Sequence, residues 1–157
     1  MRIHARISAY LLLALGLIGL SAMIYLALSF SASVIPQNSC TISGTVLNCG
    51  KVVTSQYSKI ILGINNYYLG AAFFMLVIAL SILLILKPNI SILKVKLIHI
   101  MLVLGILGSA VSVYLIYLEL FVIGYICVLC SISQISIFLT LVVSALWSYS
   151  DSKKKNL

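Results

Sequence analysis

The segment from Leu69 to Leu86 reads LGAAFFMLVIALSILLIL and carries no charged side chain. A helix needs roughly 20 apolar residues to cross the hydrocarbon core of a bilayer, so this segment and the few residues before it are long enough to span a membrane. Three further uncharged runs extend from Ile7 to Phe30, from Ile98 to Leu118 and from Ile126 to Trp147. Lipid offers the backbone no hydrogen-bond partners, so such continuous apolar runs are expected to be helices and not barrel strands, whose polarity would alternate.

These runs predict an all-α integral membrane protein. We expect one domain over residues 1–157, built as a four-transmembrane-helix bundle with helices at about 7–30, 60–86, 98–118 and 126–147 and a long outer loop at 31–58. The composition agrees, since 63% of residues are hydrophobic and 8% are charged, against about 25% charged in a soluble domain. The net charge of +8 comes from cations that flank the apolar runs, which is not the basic face of a nucleic-acid-binding protein.

The distribution of Lys and Arg predicts the orientation of the bundle. Most of them stand before the first run, between the second and third runs, or at the tail: Arg2, Arg6, Lys87, Lys94, Lys96, Lys153, Lys154 and Lys155. The connection at 31–58 contains only Lys51, with Lys59 just after it. By the positive-inside rule we expect a multi-pass protein of the cell membrane with both termini cytoplasmic and the 31–58 loop outside, where disulfides can form and persist.

All four cysteines fall at the expected outer face. Cys40 and Cys49 lie in the outer loop, which we expect to be aqueous and mobile, and Cys127 and Cys130 form a C-V-L-C motif in the first turn of the fourth helix. Residues three apart share a helix face, so the sulfurs of Cys127 and Cys130 can pair. The positive end of the helix dipole favours a thiolate there, the species that attacks disulfides.

Several kinds of protein contain four cysteines of this sort. Buried cysteines can be simple packing residues, a loop pair can be a static disulfide, and four thiols can bind zinc, although the eight residues between Cys40 and Cys49 do not suit a closed zinc site. A structural tetraspan of the claudin kind would also carry a loop pair, but it would leave C-V-L-C unexplained, and the only tryptophan here is Trp147. Two dithiols beside an apolar bundle instead favour a relay by thiol–disulfide exchange that ends on a lipid-soluble quinone.

Four stretches of the sequence resemble the vitamin K epoxide reductase family in its bacterial and archaeal branch. They are CTISGTVLNCGKVVTS at 40–55, GINNYYLG at 63–70, SVYL at 112–115 and ELFVIGYICVLC at 119–130. The similarity extends roughly from Ser33 to Gln134, and the loop pair of cysteines precedes the membrane pair, as it does in that family.

The resemblance implies a role for each cysteine. Cys130 would lie next to the quinone with Cys127 as its disulfide partner. Independently of the resemblance, we expect the helix N-terminus to stabilise the Cys130 thiolate. Cys49 would exchange with Cys127, and Cys40 would be reached by a secreted or membrane-anchored thioredoxin-like protein. The electron acceptor would be a quinone of the ubiquinone or menaquinone type.

Four other residues complete the expected site. Ser55 stands six residues after Cys49, where the family has a serine, and the resemblance implies that Ser55 orders the loop and that Val53 forms a wall of the quinone pocket. Gln134 lies one helical turn below Cys130 and needs a hydrogen-bond partner at that depth, either a quinone carbonyl or a neighbouring helix backbone. Glu119 either accepts thiol protons or reaches water, and we expect the second.

Two activities within the family use the same cysteines. Vertebrate members, which reduce a quinone epoxide, carry a tyrosine four residues after C-x-x-C, whereas this sequence has Gln134. We therefore expect a thiol:quinone oxidoreductase that supports disulfide formation, and keep epoxide reduction as the alternative. The sequence contains no fused thioredoxin-like domain, so we expect the thiol partner to be a separate protein.

Overall fold

The computed structural model describes residues 2–30, 45–59, 63–86 and 91–155. Its helices are α1 (Arg2–Phe30), the short α2 (Cys49–Val53), α3 (Asn66–Leu86), α4 (Ser91–Tyr117) and α5 (Val128–Lys155), with a 3-10 turn at Gln56–Ser58. Within these described ranges, four helices are long and apolar enough to cross a membrane. The all-α, four-span architecture expected from the sequence is confirmed.

The helix ends differ from the sequence expectations on both sides of the bundle. On the side away from the loop, α1 begins at Arg2, α4 begins at Ser91 and α5 extends to Lys155, each beyond the apolar run. Three further differences lie on the loop side. The second spanning helix begins at Asn66 and not near residue 60. The third does not end at Leu118, because a π-helical turn at Leu118–Ile123 continues α4 and ends at Gly124, whose φ of 71° is left-handed. The fourth begins at Val128, two residues later than expected. In all three places the chain remains apolar beyond the helix, so hydropathy alone does not mark the boundary.

Two buried clusters fill the bundle, one at each end. The termini-side cluster consists of Ala9, Leu12, Val77, Leu80, Leu84, Ile98, Met101 and Trp147. The loop-side cluster consists of Met23, Leu26, Cys49, Val52, Val53, Tyr67, Phe74 and Cys127, with Cys130 partly buried against it. Three cysteines therefore lie in the apolar interior at the end of the bundle where the loop folds back.

Small residues decide which helices pack closely. On α1, a Cβ at Gly19 would clash with the ring of Phe74 on α3, and on α4 a Cβ at Gly105 would lie 3.0 Å from the Leu141 Cα on α5. Gly19 thus makes room for an aromatic ring of the neighbouring helix, and Gly105 lets α4 come close to the backbone of α5, as small residues allow in lipid. In contrast, α3 and α4 make few contacts with each other, which leaves room for a cavity between them.

Candidate functional site

The loop is attached to the bundle immediately before Cys127. Leu47 and Ile126 form a parallel β-bridge, in which Ile126 N donates to the Val46 carbonyl at 2.9 Å and Asn48 N donates to the Ile126 carbonyl at 3.0 Å. Both backbone polar groups of Ile126 are thereby satisfied by the loop, and the cysteine that follows each bridged segment is held in the same buried cluster.

A side-chain contact strengthens this attachment. Asn48 caps α2 by accepting a hydrogen bond from Lys51 N at 3.0 Å. Lys51 Nζ then donates to the Tyr125 hydroxyl at 2.6 Å and lies 4.2 Å from the centre of the Tyr125 ring, a cation–π distance. We call these contacts, from Val46–Asn48 to Ile126 and from Lys51 to Tyr125, the loop clasp.

The cysteines differ in redox state and in burial. Cys49 is disulfide-bonded, whereas Cys127 and Cys130 are free thiols. Cys49 and Cys127 are both 0% exposed, so the expectation that Cys49 lies in an aqueous, mobile part of the loop is wrong. The loop clasp and α2 bury Cys49 against the membrane helices. Cys40 lies outside the described residues.

The N-terminus of α5 acts on a different sulfur from the one expected. Because α5 begins at Val128, Cys127 is the N-cap residue, and the Cys130 backbone N–H donates to Cys127 Sγ at 3.2 Å. The sequence interpretation assigned the stabilising effect of this helix N-terminus to Cys130, whereas the hydrogen bond from the Cys130 N–H goes to Cys127. The backbone donor points to Cys127, since a side chain at the N-cap accepts from the third helical N–H.

A cavity of about 340 Å³ lies between α3 and α4, below the loop. Residues of all five helices, of the 3-10 turn and of the π-helical turn line it, and among the cysteines of the described ranges only Cys130 does so. Most of the lining is aliphatic or aromatic, including Phe73 and Phe74, with a few polar groups such as Asn66 and Ser133. Concave apolar sites with a few polar groups are typical of small-molecule binding.

Glu119 and Gln134 form a polar pair on this cavity. Gln134 Nε2 donates to Glu119 Oε1 at 3.2 Å, and the Cys127 N–H donates to Glu119 Oε2, also at 3.2 Å. Glu119 is only 5% exposed, so the expectation that it reaches water is wrong. The Gln134 amide therefore has a hydrogen-bond partner that the sequence interpretation did not consider, the carboxylate of Glu119.

The loop residues Ser55 and Val53 also border the cavity. Ser55 Oγ donates to the Val52 carbonyl at 2.8 Å just after α2 ends, and Val53 is buried in the loop-side cluster. The structure thus brings Cys130, Gln134, Val53 and Ser55 around one space, although Cys127 does not border it.

Sequence reasoning missed the loop clasp. A weak signal for Lys51 was available, because this lysine stands in a connection that is otherwise nearly free of cations, and Asn48 is a residue type that commonly caps helices. Nothing in the sequence pairs Lys51 with Tyr125, since the two residues are far apart in the chain and only the folded loop brings them together.

Comparison with known proteins agrees with the motifs. A model of the vitamin K epoxide reductase family matches residues 10–145, a range that contains all four cysteines together with Glu119 and Gln134. No curated protein is similar enough to this chain to count as a match.

Proposed function

This chain belongs to the vitamin K epoxide reductase family, whose members are membrane oxidoreductases linked to quinones, and from that premise we propose that it is a thiol:quinone oxidoreductase that supports disulfide formation. Electrons would pass from a thioredoxin-like protein outside the cytoplasm, through Cys40 and Cys49 and then Cys127 and Cys130, to a quinone. The observation that carries the proposal is the burial of Cys49, Cys127 and Cys130 in one cluster, with Cys130 on a mostly apolar cavity.

The first half of the path is thiol–disulfide exchange. The partner's dithiol reduces the disulfide that Cys40 and Cys49 form, and the partner leaves with a disulfide of its own. Cys49 Sγ then bonds to Cys127 Sγ, and Cys130 leaves as a thiolate. Attack of Cys40 on Cys49 restores the loop disulfide and releases Cys127, so two electrons now reside on Cys127 and Cys130.

The N-cap position of Cys127 favours this direction of transfer. When Cys40 attacks the mixed disulfide between Cys49 and Cys127, the leaving group is the Cys127 sulfur. That sulfur accepts the Cys130 N–H, and a backbone donor at a helix N-terminus stabilises negative charge. A stabilised leaving thiolate departs faster, so the geometry promotes return of the loop to its disulfide form.

The second half of the path ends in the cavity between α3 and α4. Its apolar and aromatic lining suits a quinone ring, and Cys130, Gln134 and Val53 would border the bound molecule. A quinone bound there accepts two electrons and two protons, while Cys127 and Cys130 form a disulfide. The buried lining excludes water from the thiols, and Ser55 holds the end of α2 over the space.

The location of the thiol partner follows from the charge distribution. Lys and Arg flank the ends of the helices that lie opposite the loop, so both termini would be cytoplasmic by the positive-inside rule. The cysteines would then lie at the outer face of the cell membrane, where a secreted or membrane-anchored thioredoxin-like protein can reach the loop.

The test is quinone reduction by the purified full chain in bilayers, driven by a dithiol, for wild type, Cys127→Ser and Cys130→Ser. Wild type should turn over and both variants should fall to background. A further variant, Cys40→Ser, should accumulate a mixed disulfide between Cys49 and Cys127, because the thiol that displaces Cys127 from Cys49 is missing. Ile132→Ala, on the exposed face of α5, is the control and should keep full activity.

Two results would contradict the proposal. One is wild-type protein with all four cysteines intact that reduces neither a ubiquinone nor a menaquinone analogue. The other is Cys130→Ser protein that turns over at the wild-type rate.

A further inference from the structure

Glu119 is a buried carboxylate that the electron path does not use. It lies in the π-helical turn at Leu118–Ile123, and π-helical turns inside helices occur often at functional sites. Among the residues that the structure describes, no Lys, Arg or His forms an ion pair with it. A carboxylate in an apolar cluster is costly unless its oxygens are satisfied, so its position requires an explanation.

Both carboxylate oxygens accept hydrogen bonds from neutral donors, one from the Cys127 backbone and one from the Gln134 amide. These bonds connect Glu119 to both sides of the redox centre. The first reaches the N-cap residue that carries a reactive sulfur, and the second reaches a residue on the cavity wall. Because neither donor supplies a positive charge, the group remains able to take up a proton.

Glu119 also lies near the Cys130 thiol. Both residues border the same cavity, and the two groups interact electrostatically. In an apolar environment, two negative charges close together repel strongly. A Cys130 thiolate and a Glu119 carboxylate therefore disfavour each other, so a proton that leaves the sulfur is favoured on the carboxylate.

Dithiol oxidation requires such an acceptor. When Cys127 and Cys130 form a disulfide, one S–S bond forms, two S–H bonds break, and two electrons and two protons leave the sulfurs. A quinone acceptor gains both electrons and both protons, so the protons must cross the buried space between the sulfurs and the quinone oxygens. Within the described lining of that space, Glu119 is the only carboxylate.

We propose that Glu119 accepts a thiol proton as the disulfide between Cys127 and Cys130 forms and passes this proton to the electron acceptor in the cavity. The proposal rests on the proposed function and adds a proton route to its last step. Gln134 holds the carboxylate against the cavity wall and acts as a positioning residue.

Glu119→Gln separates proton transfer from positioning. The new amide oxygen can still accept the Cys127 N–H, and Gln134 can rotate its amide to accept from the new NH₂ group, so both hydrogen bonds survive while the exchangeable carboxyl proton is lost. Glu119→Leu removes both bonds as well and serves as the structural comparison.

Two rates are measured on each variant in bilayers, with decylubiquinone and menadione as acceptors. For Glu119→Gln, single-turnover quinone reduction by prereduced protein should fall about 100-fold, the lower end of what acid–base catalysis contributes. In the same variant, exchange between the loop disulfide and Cys127, which needs no quinone, should stay within about twofold of the wild-type rate. Glu119→Leu should slow both rates, because the backbone N–H of Cys127 loses its hydrogen-bond acceptor.

A quinone-free measurement provides the second readout. The sequence contains only two acidic side chains, Glu119 and Asp151, so an infrared difference spectrum between dithiol and diamide-oxidised protein can be assigned with two variants. A carboxyl C=O band should change with redox state in wild type and in Asp151→Asn, and this change should vanish in Glu119→Gln.

The outcomes separate this proposal from the one before it. A wild-type rate of quinone reduction in Glu119→Gln, or a band that does not respond to redox state, overturns the role of Glu119 and leaves the electron path intact. Wild-type protein that reduces neither quinone overturns the proposed function, while the infrared band still reports on Glu119.

Discussion

The two ends of the bundle use similar apolar residues for different purposes. In the termini-side cluster, Leu12, Val77 and Met101 are fully buried members of one hydrophobic core. The loop-side cluster is equally buried, but it contains Cys49 and Cys127 and adjoins a cavity of about 340 Å³. The termini-side end therefore supplies stability, and the loop-side end holds reactive groups away from water beside the cavity.

The largest expected effect is the loss of stability when a buried residue of the termini-side cluster is truncated. Leu12 is 0% exposed, and Leu12→Ala should cost about 2 to 5 kcal/mol of unfolding free energy because it leaves a void. Unfolding followed by circular dichroism during an SDS titration in mixed micelles measures this cost. Leu11, its exposed neighbour, is the matched control, and Leu11→Ala should change the free energy far less.

Leu12→Ala protein that remains folded should keep the wild-type rate of exchange between Cys49 and Cys127. A fall in the rate of exchange between Cys49 and Cys127 that corresponds to the full loss of unfolding free energy in Leu12→Ala would refute the functional division between the two clusters.

The loop clasp should matter for rate more than for stability. Lys51→Met removes the hydrogen bond and the cation–π contact with Tyr125, which together are worth about 1 to 2 kcal/mol. Transfer from the loop to Cys127, followed by quenched-flow thiol labelling, should slow about 5- to 30-fold. The bundle should unfold at nearly the wild-type SDS concentration.

Lys59→Met provides the matched control, since Lys59 is an exposed lysine just after this loop and is not one of the clasp residues. Equal slowing in both variants would point to the loss of positive charge near the loop and not to the clasp.

The smallest effect is expected at Ser55. Ser55→Ala removes one neutral hydrogen bond to the Val52 carbonyl, worth about 0.5 to 1 kcal/mol. This loss should raise the KM for quinone about 2- to 5-fold and leave the exchange between Cys49 and Cys127 unchanged, because Ser55 borders the cavity and takes no part in the clasp. Steady-state kinetics at varied quinone concentration provide the measurement.

Thr54 allows a close comparison, since its hydroxyl donates to the Gly50 carbonyl at an exposed position and does not border the cavity. Thr54→Ala should leave the KM for quinone unchanged. A similar rise in both variants would show that loop stiffness in general, and not the position of Ser55 over the cavity, controls quinone affinity.

The sequence by itself determined the architecture and the set of reactive residues. Apolar runs such as Leu69–Leu86 must be helical in lipid because the backbone has no other partner there, and the order of the loop and membrane cysteines indicated the family before any fold was known. The placement of Gln134 one turn below Cys130 also follows from helical periodicity alone.

Only the tertiary structure decided which groups act on which sulfur. The position of Cys127 at the N-cap depends on where α5 begins, and the apolar sequence around Val128 does not mark that point. The burial of Cys49 depends on a bridge between Leu47 and Ile126, and the burial of Glu119 depends on the π-helical turn that carries it. These features depend on how distant segments pack together, so local hydropathy and residue spacing do not predict them.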